Sequence, residues 1–445
     1  MGIILKKLLN LSLIALLLFV LAACSKPGAQ TGAEASKETA KSSSAKETAK
    51  EEITPEEGAK LVLWDNKDEE GEWAKYVAKE FTKKYGIPVK YANVNHTDAP
   101  GKLETDGPAG LGADVFNAAN DHLGEMSKAG LVYDNYYADE YKKRFMESAI
   151  TAVSAKDEEG KLKTFGFPLN IEGVALFYNK TLLDEMGFKP AKTMEELIKQ
   201  SKEFQKKHQG SFGFMIEPGN FYLIHGFVGG YGGYIFGDKN TDPNEIGLNN
   251  EGSLKAAKLM QRIRDELLPL KKEDLTSDVI NSYFTEGKLL YNITGPWMVK
   301  SYSDAKVNFG ITTVPKLDNG EVPTTFSGTK AYYVNAYSKY PQAATLLAKF
   351  ATSDEMLLKR YELTGQLPPS KALLENETIK QDKLNHAFLE QAQYSISMPN
   401  IPEMQNVWGA EEVAYTAIWN KAAEPQTALD KGVQQIKDAI KSQTK

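Results

Sequence analysis

The stretch LVLWDNKDEEGEWAKYVAKEFTKKYG, residues 61–86, decides the fold class. It begins with a short apolar run, Leu61–Trp64, of the kind that forms a buried β-strand. Apolar residues then recur at helical spacing from Trp73 to Tyr85, and Gly86 stands where such a helix would end. The stretch therefore predicts a strand followed directly by an amphipathic helix.

The same alternation of strand and helix continues along the chain. The further predicted strands are Val89–Tyr91, Ala113–Phe116 and Leu289–Ile293, and the further predicted helices are His122–Lys128, Thr193–Lys207 and one opened by Thr352-Ser353-Asp354-Glu355. Thr193 and Glu196 have the spacing of a capping box, which satisfies backbone N–H groups at a helix start. Alternating strands and helices are typical of α/β proteins, so we predict α/β layers with largely parallel sheets.

The composition is that of an ordinary globular protein, and it excludes several classes of function. The 445 residues are 42% hydrophobic and 25% charged, and such a length suggests roughly two or three domains. One cysteine rules out a disulfide scaffold and multi-cysteine metal sites, and five scattered histidines argue against a metal centre. The net charge of -6 argues against a nucleic-acid partner. Gly229–Gly233 lacks the spacing of a phosphate-binding loop. We predict no cofactor.

The N-terminus has the pattern of a secretory signal, since two lysines precede a short apolar run that ends in small residues. The sequence Leu21-Ala22-Ala23-Cys24 resembles a bacterial lipobox, in which the cysteine is lipidated. We predict that residues 1–23 are removed and that Cys24 anchors the chain at the extracellular face of the cell membrane. A plain signal peptide with an incidental cysteine is the alternative. Residues 24–58 have few large apolar residues and are predicted to form a disordered tether.

Aromatic and acceptor side chains occur at the ends of predicted strands and in irregular segments, where ligands of open α/β sheets bind. The aromatic candidates are Tyr222, Trp297 and Trp408, and the polar candidates are Asn66, Asp68, Asp121, Glu172 and Glu217. Aromatic planes pack on the apolar faces of sugar rings, and carboxylates accept hydrogen bonds from sugar hydroxyls. The set therefore suits a neutral, polyhydroxylated ligand.

Each of these residues also has a purely structural interpretation. By spacing alone, a single tryptophan such as Trp297 is more often part of a core than a ligand platform. Asp121 could simply cap the helix that follows it, and an isolated carboxylate is usually solvated. Trp64 and Trp419 lie in apolar company and are predicted to be core residues. Single residues therefore leave the function open.

The order of several motifs is more specific than any single residue. These motifs are Lys60–Trp64, Glu80–Ile87, Tyr178-Asn179-Lys180-Thr181-Leu182-Leu183, Asn292-Ile293-Thr294-Gly295-Pro296-Trp297 and Ser397–Met404. With them the chain resembles the extracellular solute-binding proteins of ABC transporters, and among those the maltose/maltodextrin-binding proteins, over roughly residues 58–440. The Tyr-Asn-Lys segment is common to many sugar binders, whereas the last two motifs in order point to maltodextrin binders.

The resemblance implies which residues bind the ligand. They are Asn66, Asp68, Asp121, His122, Glu172, Glu217, Tyr222, Trp297, Met398 and Trp408. Phe221 competes with Tyr222 for the stacking position. The chain also departs from the enterobacterial relative, because Glu69 stands in place of a ligand-binding Lys, Ala118 in place of a stacking Trp and His122 in place of an Arg.

The resemblance also implies the architecture and the partners. We expect a periplasmic-binding-protein-like α/β fold whose two lobes are residues 59–170 plus 331–377 and residues 175–326 plus 378–445. Hinge crossings are expected near 171–174, 326–331 and 376–384. A monomer would bind maltodextrin in the cleft, close around it and deliver it to the membrane permease. The alternatives are a binder of another oligosaccharide, such as cyclodextrin, and a secreted glycoside hydrolase.

Overall fold

The computed structural model describes residues 53–157 and 159–443. The predicted signal peptide, Cys24 and the tether as far as residue 52 lie outside the described residues. Within them, the first strand and helix are confirmed as β1, Leu61–Asp65, and α1, Asp68–Tyr85. The helix starts earlier than the apolar spacing indicates because its first turn is acidic, which suits the positive end of the helix dipole. Gly86 ends it with φ 71°, a conformation that glycine adopts without steric cost.

The other elements follow in chain order. The strands are β2 Val89–Asn93, β3 Val115–Ala119, β4 Ser154–Lys156, β5 Leu162–Thr164, β6 Phe167–Pro168, β7 Ala175–Asn179, β8 Phe212–Met215, β9 Tyr234–Phe236, β10 Asp242–Gly247, β11 Leu289–Thr294, β12 Phe309–Thr312, β13 Phe326–Ser327, β14 Lys330–Val334 and β15 Ile396–Ser397. The helices are α2 Ala99–Asp106, α3 Leu123–Lys128, α4 Ala138–Arg144, α5 Glu147–Ala152, α6 Lys180–Met186, α7 Met194–Lys207, α8 Phe221–Gly230, α9 Gly237–Asn240, α10 Glu251–Glu266, α11 Ser277–Thr285, α12 Val299–Asp304, α13 Pro341–Ala351, α14 Asp354–Thr364, α15 Lys371–Leu374, α16 Glu377–Lys380, α17 Lys383–Ala392, α18 Gln405–Trp419 and α19 Pro425–Gln443. None of the helices in the described ranges is both long and apolar enough to cross a bilayer.

The prediction of largely parallel sheets is wrong, because both main sheets are mixed. In the first, ordered β2-β1-β3-β14-β6, strand β14 runs antiparallel to both of its neighbours. In the second, ordered β12-β7-β11-β8, strand β7 does the same. Strands β7 and β14 each follow a short connection from the other side of the molecule. They therefore lack the crossover helix that imposes a parallel neighbour.

The two main sheets form the two lobes, and the chain passes between them several times. One crossing joins β6 to β7, and a second joins β13 to β14. The crossings are bonded to each other, since Glu172 and Gly328 exchange backbone hydrogen bonds of 2.8 and 2.9 Å. Residues 376–384 contain α16 and the start of α17, which leads to the second sheet. The expected crossings near 171–174 and 326–331 fall on the first two connections, and a third crossing near 376–384 stays a prediction.

Buried aromatic residues fill the cores of the lobes. Trp64 and Trp419 are core residues, as predicted, and the indole nitrogen of Trp419 donates to the carbonyl of Leu270 at 2.9 Å. The buried Trp73 packs against Tyr332 with ring centroids 5.7 Å apart. The first lobe thus joins α1 and β14 through an aromatic contact.

The folded part begins before residue 59. The backbone N–H of Ile53 donates to the hydroxyl of Tyr137 at 3.3 Å. The carboxylate of Glu56 accepts from the backbone N–H groups of Gln342 and Ala343, at 2.9 and 3.0 Å, and so caps α13. Residues 53–58, which the sequence assigns to the tether, thus take part in the fold.

Candidate functional site

A cavity of about 750 Å³ lies between the lobes, and the crossing segments form part of its wall. Both lobes and both crossings contribute side chains to it. The predicted residues that line the cavity are Asp121, His122, Glu172, Tyr222, Trp297, Met398 and Trp408. The tertiary structure therefore gathers side chains that are far apart in the sequence into one cleft, as expected of ligands bound between two lobes.

Three predicted residues do not line this cavity. Asn66 lies behind it, where its side-chain oxygen accepts from the backbone N–H of His96 at 2.9 Å. Glu217 also lies behind it and accepts hydrogen bonds from Asn220 at 3.2 Å and Ser277 at 2.5 Å. Asp68 is exposed at the start of α1.

His96, Asn220 and Ser277, by contrast, do line the cavity. Asn66 and Glu217 thus support lining residues that the sequence did not single out.

Aromatic rings form much of the wall contributed by the second lobe. Tyr222 and Trp297 have ring centroids 6.3 Å apart, and both side chains are partly exposed to the cavity. Phe221 is buried and packs against Trp408 with centroids 6.3 Å apart. Of the two candidates for the stacking position, Tyr222 therefore lines the cavity and Phe221 supports it from the core.

The hydroxyl of Tyr222 is buried without a hydrogen-bond partner among the described residues. Burial raises its pKa well above the usual range, and the nearby charges of Glu172 and Asp121 add to this effect. The hydroxyl therefore stays protonated. A buried, unpaired donor of this kind is costly unless a ligand satisfies it.

Asp121 links the lobes within the cleft. Its Oδ2 accepts from the indole Nε1 of Trp408 at 2.9 Å and from Gln405 Nε2 at 3.1 Å. No side-chain capping bond occurs at α3, so the interpretation of Asp121 as a simple helix cap is wrong. His122 beside it is hydrogen-bonded to Glu125 at 2.7 Å. Burial opposes the charged imidazole, but Glu125 and Asp121 outweigh burial and raise the pKa of His122.

Glu172 lies at the first crossing, where Oε1 accepts from Asn170 Nδ2 at 2.7 Å and is 3.1 Å from Lys330 Nζ. The ammonium group of Lys330 also binds Glu70 at 2.8 Å. His96 is nearby, and burial, reinforced by the charge of Lys330, lowers its pKa to about 3. His96 is therefore a neutral hydrogen-bonding group in the cavity wall.

Sequence reasoning missed Lys330 and His96. A lysine at the start of the otherwise apolar strand β14 was the available signal for Lys330, and the position of His96 just after β2 was the signal for His96.

The residues at which the chain departs from the enterobacterial relative lie outside the cavity, except for His122. Ala118 is fully buried in the core of the first lobe with Trp64 and Phe116, and it does not reach the cavity. Glu69 does not line the cavity either. The ring systems on this side of the cleft are the imidazoles of His96 and His122, rather than a tryptophan.

The chemistry of the cleft is that of a binding site for an uncharged polar ligand. Aromatic faces alternate with carboxylate and amide acceptors, and the described residues contain no cluster of three or more histidine, cysteine, aspartate or glutamate side chains suited to a metal. Two lobes around such a cleft are typical of ligand-binding proteins of the hinged kind. The chain belongs to the family described as bacterial extracellular solute-binding protein, whose model matches residues 76–387.

Individual relatives of the chain are named for the oligosaccharides that they bind or transport. The chain is 35% identical to the galactooligosaccharide-binding protein of Bacillus subtilis (strain 168), over 86% of this chain and 90% of that protein. It is 32% identical to the maltodextrin-binding protein MdxE of the same organism, over 86% of this chain and 91% of that protein. A maltooligosaccharide ABC transporter solute-binding lipoprotein of Streptococcus pneumoniae is 29% identical, over 82% of this chain and 85% of that protein.

A solved structure shows the same fold. It is a cyclo/maltodextrin-binding protein complexed with maltotetraose, with 36% identity and a TM-score of 0.73. The match covers 86% of this chain and 97% of that chain. The periplasmic-binding-protein-like fold expected from the sequence is thus confirmed.

Proposed function

We propose that this protein binds maltodextrins in the cleft and delivers them to the membrane permease of an ABC transporter. The observation that carries the proposal is the cleft itself, in which Tyr222, Trp297 and Trp408 stand beside the acceptors Asp121 and Glu172. Stacked sugar rings would cover the aromatic faces, and their hydroxyls would bond the carboxylates. Two of the relatives named above carry maltodextrin or maltooligosaccharide in their names, and the solved structure contains maltotetraose.

The proposed mechanism is closure of the two lobes by hinge bending. A monomer would take the sugar between the lobes, and bending of the crossings would close the lobes around it. Closure couples to binding because the sugar gains contacts to both lobes only in the closed state. We place the lobes at residues 59–170 plus 331–377 and 175–326 plus 378–445, and the closed form would dock on the permease.

A galactooligosaccharide is the second candidate ligand, because the relative that carries this name is 35% identical. Galactose also has an apolar face for stacking and hydroxyls for the carboxylates. Cyclodextrin remains a third candidate, and the solved structure at 36% identity is of a cyclo/maltodextrin-binding protein.

Isothermal titration calorimetry over maltose, maltotriose, longer maltodextrins, cyclodextrins and galactooligosaccharides tests the proposal. We expect a Kd in the low micromolar range for maltotriose, about -8 kcal/mol. Tight binding of galactooligosaccharides with no response to any α-glucan would replace the first candidate by the second. No heat with any sugar of the panel would refute all three candidates.

We further propose that the cleft binds sugar without cleaving it. A glycoside hydrolase needs two carboxyl groups on either side of one bond, one of them protonated as a general acid. Asp121 and Glu172 both accept hydrogen bonds from N–H donors, an arrangement that suits acceptors for hydroxyl groups. Incubation with maltotriose should release no glucose, and steady release would contradict this part of the proposal.

The location of the protein is proposed from its N-terminus. Removal of residues 1–23 and lipidation of Cys24 would hold the domain at the extracellular face of the membrane through a tether. The name of the streptococcal lipoprotein supports this. A Cys24→Ala variant should be released into the medium, whereas the parent should stay in the membrane fraction. Equal amounts in the membrane fraction would contradict the lipid anchor.

A further inference from the structure

One of the residues that line the cleft, Lys330, is a buried lysine. The side chain of Lys330 is 8% exposed and lies between two carboxylates, Glu70 at 2.8 Å and Glu172 at 3.1 Å. Removing an ammonium group from water is costly unless opposite charges and hydrogen bonds compensate for it. Burial here opposes the charged form, but the charges of Glu172 and Glu70 raise the pKa of Lys330 above its usual value. The lysine therefore stays cationic.

The two carboxylates around Lys330 are held differently. Glu70 also binds Gln366 Nε2 at 2.6 Å and lies 3.3 Å from Arg360, so it keeps a cationic partner without Lys330. Among the described residues, Lys330 is the cation within salt-bridge distance of Glu172. Loss of Lys330 would therefore affect Glu172 more than Glu70.

The position of Lys330 also ties it to the hinge. It begins β14 directly after the second crossing, and its backbone N–H donates to Asn170 Oδ1 at 2.9 Å. Asn170 Nδ2 in turn donates to Glu172 Oε1 at 2.7 Å. The backbone and the side chain of Lys330 thus converge on the segment that carries Glu172.

We propose that Lys330 is a positioning residue for the ligand, which holds Glu172 so that one carboxylate oxygen faces the sugar. Lys330 and Asn170 both engage Oε1, and Glu172 lines the cavity with 11% of its side chain exposed. The second oxygen, Oε2, is thereby left for a sugar hydroxyl. This role rests on the proposed sugar-binding function.

A double-mutant cycle on the full chain, read by calorimetry with the sugar that the parent binds best, tests the role. Lys330→Met and Glu172→Gln should each weaken binding about tenfold or more, as expected when a charge-assisted hydrogen bond is lost. Because Lys330 acts through Glu172, the double variant should bind about as weakly as Glu172→Gln alone. Losses that multiply in the double variant, or a Lys330→Met affinity within about twofold of the parent, would overturn the role.

Matched variants separate positioning from folding. Glu70→Gln removes the other carboxylate of Lys330, so it should lower the melting temperature yet keep the affinity within about twofold. Lys330→Arg keeps the charge and should bind sugar more tightly than Lys330→Met. If Lys330→Met does not fold, the same cycle is run with Lys330→Gln, under the same criteria.

Sugar binding by the parent protein separates a failure of the proposed function from a failure of the role of Lys330. A parent that binds no sugar of the panel overturns the proposed function and this role with it. A parent that binds sugar, with multiplying losses in the cycle, overturns the role of Lys330 alone.

Discussion

Glu411 should make the protein less stable as the pH rises. This residue lies on α18, the helix that carries Trp408, and it is 1% exposed. Neither carboxylate oxygen has a hydrogen-bond partner among the described residues. Burial without a compensating charge raises the pKa of Glu411 to about 8. The folded protein therefore holds this proton at neutral pH, whereas the unfolded chain releases it.

The sign and the size of the effect follow from linkage. Between the unfolded pKa of about 4.5 and the folded pKa of about 8, the folded state binds more protons, so stability falls as pH rises. The group is neutral in both states below this window, so the pH-dependent cost vanishes there. At pH 7 the cost is about 3 kcal/mol, and at pH 5 it is about 1 kcal/mol.

The perturbation is Glu411→Gln, which replaces the carboxyl group by a neutral group of similar shape. Urea unfolding at pH 5, 7 and 8.5 should show the variant to be more stable than the parent, by a margin that grows with pH. Glu412→Gln is the matched control, because Glu412 is the next residue, is exposed and pairs with Lys272 at the surface. Its difference from the parent should stay small, below about 1 kcal/mol, at every pH. A margin for Glu411→Gln that does not change with pH would refute the reasoning.

Three further predictions concern the cleft, the N-terminal segment of the fold and the contact between α3 and residues 400–402. Trp408→Ala should weaken sugar binding by about 1–3 kcal/mol in calorimetry, through lost aromatic contact area; an unchanged Kd would remove this residue from the site. Glu56→Gln should lower the free energy of unfolding by about 1 kcal/mol because α13 loses a charged cap. The control Glu57→Gln, at an exposed residue, should leave the midpoint of urea unfolding unchanged. Equal midpoints for the two variants would contradict the cap. Gly124→Ala should cost about 1–3 kcal/mol of stability, because its Cβ would lie 2.4–2.6 Å from the backbone of residues 400–402. The control Gly101→Ala, which has open space around it, should cost none. Similar melting temperatures for the two variants would show that the backbone approach at Gly124 is not tight.

The sequence by itself determined the elements whose signals are local. The apolar run and the helical spacing in residues 61–86 predicted β1 and α1, and the capping box predicted the start of α7. In the structure, the side chain of Thr193 accepts from the backbone N–H of Glu196 at 3.1 Å. Signals of this kind act over three or four residues, so they can be recognised in the sequence without knowledge of the fold. The motifs at residues 292–297 and 397–404 likewise indicated the family that the comparisons confirm.

Only the tertiary structure decided which side chains meet. The direction of β14 depends on how the chain enters the sheet from the crossing, and no local pattern records that. Lys330 and His96 line the cleft because the crossings and the loop after β2 bring them there. Glu217 lies behind the wall because Asn220 and Ser277 stand in front of it. Contacts between residues far apart in the chain depend on packing and burial, which a one-dimensional pattern does not contain.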